Sequence, residues 1–256
     1  MEITVQERIR ERFGRATNSY DLHAEAQRQI CAYLTELLTR YGRNHFSRAL
    51  EIGCGSGCLT QMLMRRCQVR EWVLNDLCED WRVPLEKRLS SVPFHFWVGD
   101  AEKMAFPGPF GLIASASALQ WMRDLPRFFH KLASLLSPDG VLLFNTFTPE
   151  NLREVRMLTG EGLTYPDTGC IREWLSADFR ILQEEEQPIV LTFRHPLDVL
   201  RHLRYTGVTA NAAHVWTRGR QLRFCQEYPA RFPAAHGGVT LTYCPLYIVA
   251  VKKEVS

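Results

Sequence analysis

Leu50-Glu51-Ile52-Gly53-Cys54-Gly55-Ser56-Gly57 decides the reading of this chain, because an apolar run ending in an acidic residue passes straight into glycines at alternate positions. That pattern describes a β-strand feeding a tight turn that cradles a nucleotide-like ligand. Glycine is needed where the backbone turns through positive φ or approaches a ligand more closely than a Cβ permits. The spacing is G-x-G-x-G, not the G-x-G-x-x-G of dinucleotide-binding turns, and the Gly-Lys-Ser/Thr of a phosphate-binding P-loop is missing. Glu51 adds a charge argument, since an anion close to a bound pyrophosphate is repelled in a partly desolvated cleft. A cationic ligand suits the turn better, and S-adenosylmethionine carries both a sulfonium and an ammonium.

The next strands end the same way. Trp72-Val73-Leu74-Asn75 stops at Asp76, where the second strand of such a unit ends and where a carboxylate can accept both ribose hydroxyls. Phe94-His95-Phe96-Trp97-Val98 ends at Gly99-Asp100-Ala101-Glu102, a third acidic strand end able to meet an adenine amino group. Each signal alone has a plain alternative: a glycine-rich turn can be a simple loop, and an aspartate at a strand end can be a helix cap. Together they read as successive turns of one sheet. Strands near Ala49, Trp72, Phe94, Gly111 and Val141 alternate with helical patterns, which predicts a parallel sheet with helices on both faces.

Around this core, a helical segment from about Gln6 to Tyr41 is joined by Gly42-Arg43-Asn44 to the first strand. A helix is expected around Ile171 to Leu175, a strand over Gln187 to Phe193 and a last strand over Thr242 to Lys252. Between those two strands lie helical patterns at Pro196 to Tyr205 and Thr217 to Tyr228, read with the N-terminal helices as a lid over the carboxyl ends of the strands. One domain is expected over 1–256: an N-terminal helical segment at 1–44, a core at 45–193 and 240–256, and the lid insertion at 194–239.

On these residues the chain resembles the class I methyltransferases that use S-adenosylmethionine. The resemblance runs from about Ala49 to Thr148, through the glycine turn, Asp76, Gly99-Asp100-Ala101, the strand Phe110 to Ser115, and Leu135-Leu136-Ser137-Pro138-Asp139-Gly140 before the fifth strand. That family usually shows Pro-Gly-Gly there, and usually Asp where this chain has Glu51. The resemblance implies a Rossmann-like α/β fold with a mostly parallel seven-stranded sheet, and S-adenosyl-L-methionine as donor with S-adenosyl-L-homocysteine as product. It implies donor contacts from Glu51, Gly53, Cys54, Gly55, Gly57, Asp76, Leu77, Asp100, Ala101, Glu102 and Ser115. Tyr20 would lie over the donor, its hydroxyl near the methionine carboxylate or the reacting carboxylate; a core tyrosine bonded to backbone is the other reading.

Composition excludes several classes. At 256 residues the chain can bury a substantial core. No uncharged apolar stretch approaches the ~20 residues that span a bilayer, and Glu2 to Arg12 is too charged for a signal peptide, so an intracellular, cytoplasmic enzyme without a membrane partner is expected. The 8 cysteines then read as reduced thiols. Cys54 and Cys58 do not complete a C-x-x-x-C-x-x-C cluster motif, because Gln61 occupies the third position, and neither C-x-x-C pairs nor zinc-spaced histidines occur; no metal is expected. A net charge of +3 does not point to nucleic acid. The arginines are unevenly placed, however: Arg194, Arg201, Arg204, Arg218, Arg220, Arg223 and Arg231 face only Asp198 and Glu227, while Arg8, Arg12 and Arg15 share one face of the N-terminal helix. That is either a solvated surface or a dock for an acidic partner.

The acceptor must be read from the lid and from the loop Ser115-Ala116-Ser117-Ala118-Leu119-Gln120-Trp121-Met122, which lacks the Asn/Asp-Pro-Pro-Tyr/Phe of amino methyltransferases. Here the chain is similar to the BioC-type methyltransferases of biotin synthesis, through Phe13-Gly14-Arg15-Ala16, Tyr20, His23-Ala24, Gln27-Arg28-Gln29, Leu119-Gln120-Trp121, Leu200-Arg201-His202-Leu203-Arg204, Gly207 and Leu241-Thr242-Tyr243. This resemblance implies methylation of the free carboxylate of malonyl-acyl carrier protein, or of malonyl-coenzyme A, giving the methyl ester that primes pimeloyl synthesis. An ionised carboxylate needs no general base, so none is expected, and His23 and His202 are given no role; it needs a cationic clamp, for which arginine supplies a planar fork. Arg15, Arg201 and Arg204 are the candidates for that clamp or for a phosphopantetheine phosphate, with Gln120 and Trp121 at the acceptor mouth. Arg201 and Arg204 can equally be surface charge, and Trp121 a core aromatic. The alternatives are a small acid such as an aconitate, a quinone or other hydroxyl acceptor, and a non-catalytic binding module. Oligomeric state is open, a monomer being the simplest expectation.

Overall fold

The computed structural model describes Glu7, Arg10, Glu11, Gly14, Thr17 and residues 19–90, 92–207 and 216–254. In chain order its elements are α1 (Tyr20–His23), α2 (Glu25–Tyr41), β1 (His45–Ile52), α3 (Cys58–Met64), β2 (Gln68–Asp76), α4 (Arg82–Arg88), β3 (Phe94–Val98), β4 (Phe110–Ser115), α5 (Leu125–Leu135) and β5 (Leu136–Phe147). There follow α6 (Arg153–Thr159), α7 (Thr168–Ser176), β6 (Phe179–Glu186), β7 (Ile189–Phe193), α8 (Pro196–Tyr205), α9 (Arg218–Arg231), β8 (Val239–Tyr243) and β9 (Pro245–Lys252).

β1 begins exposed and ends in four successive buried residues, as a strand covered on both faces must. It pairs in parallel with β2 on one side and β4 on the other, and the seven-stranded sheet runs β3-β2-β1-β4-β5-β9-β6, with β9 antiparallel to both neighbours. The chain winds outward from β1 in one direction and then, from β4, in the other. The crevice between β1 and β4 is therefore the topological switch point where open α/β sheets bind ligands.

Two buried layers fill the faces of this sheet. One collects α2 residues such as Ile30, Leu34 and Leu38 with Trp72 and Trp81; the other packs Phe128, Phe129 and Leu132 of α5 against Phe110, Ile113 and Phe144. α2 turns one stripe inward at helical spacing and stops at Gly42, whose φ of 82° lets the chain leave by a left-handed cap. α5 starts where Asp124 accepts a hydrogen bond from the Arg127 N–H with Pro126 in the first turn.

The expected strands near Ala49, Trp72, Phe94, Gly111 and Val141 are all present. Two expectations at the far edge are corrected. The sixth strand of the sheet is β6, not Gln187 to Phe193, and that latter run forms β7 of a separate two-stranded ribbon with β8. The expected single last strand is split at Cys244, whose N–H turns away to Asn151 Oδ1 at 3.0 Å, and Pro245 has no N–H to continue a ladder. The helical insertion accordingly lies between the two ribbon strands, not between the last two strands of the main sheet. β6 escaped the pattern because it is an edge strand of partly buried residues ending in Glu184-Glu185-Glu186. The helix α6 was not anticipated either.

Candidate donor-binding site

At the carboxyl end of β1 the turn residues Gly53, Gly55 and Gly57 have φ of 67°, 50° and 78°. At Gly53 the demand is twofold, for an added Cβ would also stand 2.3 Å from Ala118 Cβ. β2 delivers Asp76 beside this turn: Gly55 N–H donates to its Oδ2 and Cys78 N–H to its Oδ1, both at 2.9 Å. Burial raises the Asp76 carboxyl to about 6 against the opposing pull of those backbone hydrogen bonds. Asn75 fixes the next strand end, donating through Nδ2 to the carbonyls of Trp97 at 2.9 Å and Gly99 at 3.1 Å. Beyond it, Asp100 Oδ1 accepts the Glu102 N–H at 3.0 Å. Glu102 in turn accepts the N–H groups of Arg123 and Asp124, tying β3's end to the loop after β4.

Gly53, Gly55, Asn75, Asp76, Asp100 and Glu102 line one cavity with Tyr20, Ile52, Leu77, Trp81, Ala116, Ser117, Ala118, Trp121 and Met122. Tyr20 packs edge-to-face on Trp81 at 5.5 Å, and burial raises its hydroxyl. Its helix α1 is pinned to the glycine turn by Asp21, which accepts from Ser56 Oγ at 2.7 Å and pairs with Arg88, while Arg88 also donates to the Ser56 carbonyl at 2.8 Å. The described lining carries three carboxylates, Asp76, Asp100 and Glu102, and neither lysine nor arginine. Such a wall favours a cation over a pyrophosphate.

Of the expected donor contacts, Tyr20, Gly53, Gly55, Asp76, Leu77, Asp100 and Glu102 line the cavity. Others stand behind it. Glu51 is buried and takes a hydrogen bond from Thr60 Oγ1, and burial pushes its carboxyl up to about 8, so at neutral pH it carries a proton. Ser115 Oγ donates to the Ile52 carbonyl at 2.9 Å, holding β4 to β1. Cys54 is buried and its N–H caps the Asn75 carbonyl at 2.9 Å, Gly57 starts α3, and the Ala101 carbonyl accepts Lys131 Nζ at 2.7 Å. These positions shape the turns and do not face the space.

Of the residues expected at the acceptor mouth, Trp121 lines the cavity, whereas Gln120 is held by its Nε2 donating to the Ser117 carbonyl at 2.6 Å. Arg201 does not reach the cavity; it pairs with Asp198 at 3.0 Å and borders a neighbouring groove. Arg204 is exposed on α8. Arg15, like Arg8 and Arg12, lies outside the described residues. Asn75, Trp81 and Ser117 were missed. Trp81 belongs to the short turn Glu79–Trp81 after β2, and only the packing of Tyr20 marks it as a wall; Asn75 was visible only as the neighbour of Asp76.

The residues present fit S-adenosylmethionine on three observations. Gly53 and Gly55 present backbone at positive φ to the cavity; the wall is acidic; and Ser117 Oγ and Gln120 Oε1 are buried without a hydrogen-bond partner, which leaves polar capacity to be satisfied by a ligand. Ser117 is held at a φ of 54°, with its N–H on Asn145 Oδ1 at 2.8 Å, a conformation uncommon for a residue with a side chain.

Comparison with known proteins agrees with this geometry. The Methyltransferase domain family matches residues 50–144. Among solved structures, the N-methyltransferase NodS of Bradyrhizobium japonicum, in complex with S-adenosyl-L-homocysteine, superposes with a TM-score of 0.55 at 14% identity, covering 89% of this chain and 87% of its own, and so supports the fold. Among curated relatives, a malonyl-[acyl-carrier protein] O-methyltransferase of Porphyromonas gingivalis is 46% identical over 246 residues, 95% of each chain. One of Haemophilus ducreyi is 42% identical over 250 residues, 96% of each. With the glycine turn, the acidic strand ends and this likeness along nearly the whole chain, the protein belongs to the malonyl-[acyl-carrier protein] O-methyltransferase family.

Proposed function

We propose that this enzyme transfers a methyl group from S-adenosylmethionine to the free carboxylate of malonyl-acyl carrier protein. The observation that carries the reading is the 46% identity to a relative of that name over 95% of both chains. When bound, the donor would supply an electrophilic methyl carbon on a positive sulfur able to take up the carbon–sulfur electron pair. The chain's own work is to bind, align and exclude water. Asp76 would accept the ribose hydroxyls, Asp100 would meet the adenine, and Ser117, Gln120 and Trp121 would border the reacting end.

No histidine lines the cavity among the described residues. His202 is buried, bonded to the Tyr243 hydroxyl at 2.8 Å, and lowered to about 4 by burial and by nearby His23. The described lining thus offers a hydroxyl acceptor no histidine base, and a carboxylate acceptor needs none. The segment 194–239 acts as a lid in this reading, since α8 rests on α1 through the stacked His23 and Tyr205 rings, 4.5 Å apart. Arginines of the lid and of the N-terminal segment meet the acidic carrier. The enzyme would work in the cytoplasm; no helix of the described residues is long and apolar enough to cross a membrane.

The test is incubation with methyl-labelled donor and malonyl-acyl carrier protein. A gain of ~14 Da per carrier, labile to mild alkali and absent with the acetyl carrier, is expected of selection for the free carboxylate. Donor binding without transfer to the malonyl carrier would overturn the acceptor assignment.

A further inference from the structure

The β7–β8 ribbon has one covered edge and one open edge. On β8, Thr240 N–H donates to the Phe232 carbonyl at 3.1 Å, the Thr240 carbonyl accepts the Tyr228 hydroxyl at 2.9 Å, and the Thr242 carbonyl accepts the Leu152 N–H at 2.8 Å. Thr240 and Thr242 thus turn their backbone groups away from β7. The antiparallel register sets them opposite Thr192 and Val190, so those two residues must likewise turn their N–H and C=O groups away from β8. Among the described residues nothing bonds to these groups. An open strand edge of this kind is a template for another extended, amide-bearing chain.

The edge borders a groove whose other walls are Leu22 and His23 of α1 and Arg201 and Tyr205 of α8. Leu22 is 80% exposed and Val190 56%, so apolar side chains stand unburied on both sides. The acids at the groove are already matched, Asp198 by Arg201 at 3.0 Å and Glu25 by Arg28 at 3.5 Å. Arg194, which directly follows β7, and Arg204, beside Tyr205, are exposed and have no ion pair among the described residues, which leaves a positive surplus. The helix α1 is a shared wall: its Tyr20 faces the donor cavity, its Leu22 and His23 the groove.

We propose that this groove holds the phosphopantetheine arm of the carrier protein, an inference that rests on the carrier-protein reading above. The arm's two secondary amides offer two donors and two acceptors, matching the two N–H and two C=O groups of Val190 and Thr192. Its geminal methyl groups cover Leu22 and Val190, and its phosphodiester meets Arg194 or Arg204. The arm lies along β7 as a short added strand.

The experiment compares malonyl-acyl carrier protein with malonyl-N-acetylcysteamine, a thioester that lacks the phosphate, the geminal methyls and one amide. In Val190→Glu, which sets a carboxylate on the edge, the ratio of kcat/KM for the carrier to that for the short thioester falls about tenfold or more, a change of about 1.4 kcal/mol. Thr192→Pro, which deletes one edge N–H, lowers the same ratio, and free 4′-phosphopantetheine competes with the carrier in the wild type and more weakly in Val190→Glu. An unchanged ratio in folded, donor-binding Val190→Glu overturns the groove while leaving the proposed reaction standing. If the substitution changes only self-association in sedimentation, the edge serves a second copy and the proposal falls. If the wild type methylates neither thioester, it is the reaction itself that has failed.

Discussion

At the carboxyl ends of β1, β2 and β3 the polar groups are fixed by backbone before any ligand arrives: Asp76 is gripped by two N–H groups, and Glu102 is braced by the loop after β4. On α8, 10 residues long, the Arg201 side chain is 67% exposed and leans on an acid of its own helix. The donor cavity is preorganised by the sheet, and the proposed acceptor side presents exposed charges on long, flexible stems on an added layer. The difference suits two ligands of different kinds. A small donor with one required geometry is best met by fixed dipoles, and a protein-borne acceptor by charges that steer and then adapt.

The largest effect that would break this contrast is at the glycine turn. Gly53→Ala places a Cβ 2.3 Å from Ala118 Cβ at a φ of 67°. Overpacking and left-handed strain together cost about 4 kcal/mol; the free turn shifts to relieve them, and rebuilding it around the donor at that cost should lower donor affinity by up to about a thousandfold by calorimetry. Near-normal binding would show that the turn is not a close-fitting cradle.

Glu51 sharpens the comparison from behind the cavity. Its folded value of about 8 lies above the ordinary 4.5, so between those values the native state holds a proton that the unfolded state has lost. Stability must therefore fall as pH rises through that window. Glu51→Gln should remove much of that fall, matching the wild type near pH 4.5 and exceeding it by about 2 kcal/mol or more at the top of the window, at about 1.4 kcal/mol per pH unit. Parallel denaturation midpoints across the window would count against a buried, protonated Glu51.

For Asp76 the proposed donor contact gives a functional pH dependence instead. Ionised above about 6, it would accept ribose hydroxyls best there, so donor affinity should weaken as pH falls through that value. Asp76→Asn should lower affinity about tenfold above it and flatten the profile, as expected for a charge-assisted hydrogen bond. A variant with an unchanged profile would move the titration elsewhere.

The smallest effect is on the lid. Arg204→Gln should weaken apparent carrier affinity about threefold, less at high salt, with donor affinity unaltered, as suits an exposed cation. An effect on donor binding would mean that α8 reaches the cavity and that the two regions are not separate.

The residues that the chain alone made legible are those whose role is local. Three glycines at alternate positions demand positive φ wherever they fold, an apolar run ending in Asp76 reads as a strand with an acid at its end, and the spacing in α2, α8 and α9 is helical before any packing. Fold class and the donor turn follow from such period and backbone rules. What only the tertiary structure decided depends on segments far apart in sequence. Whether Glu51 faces a ligand or Thr60 is set by the helix packed behind it. Whether Trp81 is core or wall is set by Tyr20, and whether Val190 joins the sheet or the ribbon is set by β8, about fifty residues later, where long-range pairing overrides local pattern. Arg201 shows the limit most plainly: a one-dimensional pattern marks a cation on a helix face, but its partner, Asp198, and the groove beside it exist only once α1, β7 and α8 meet.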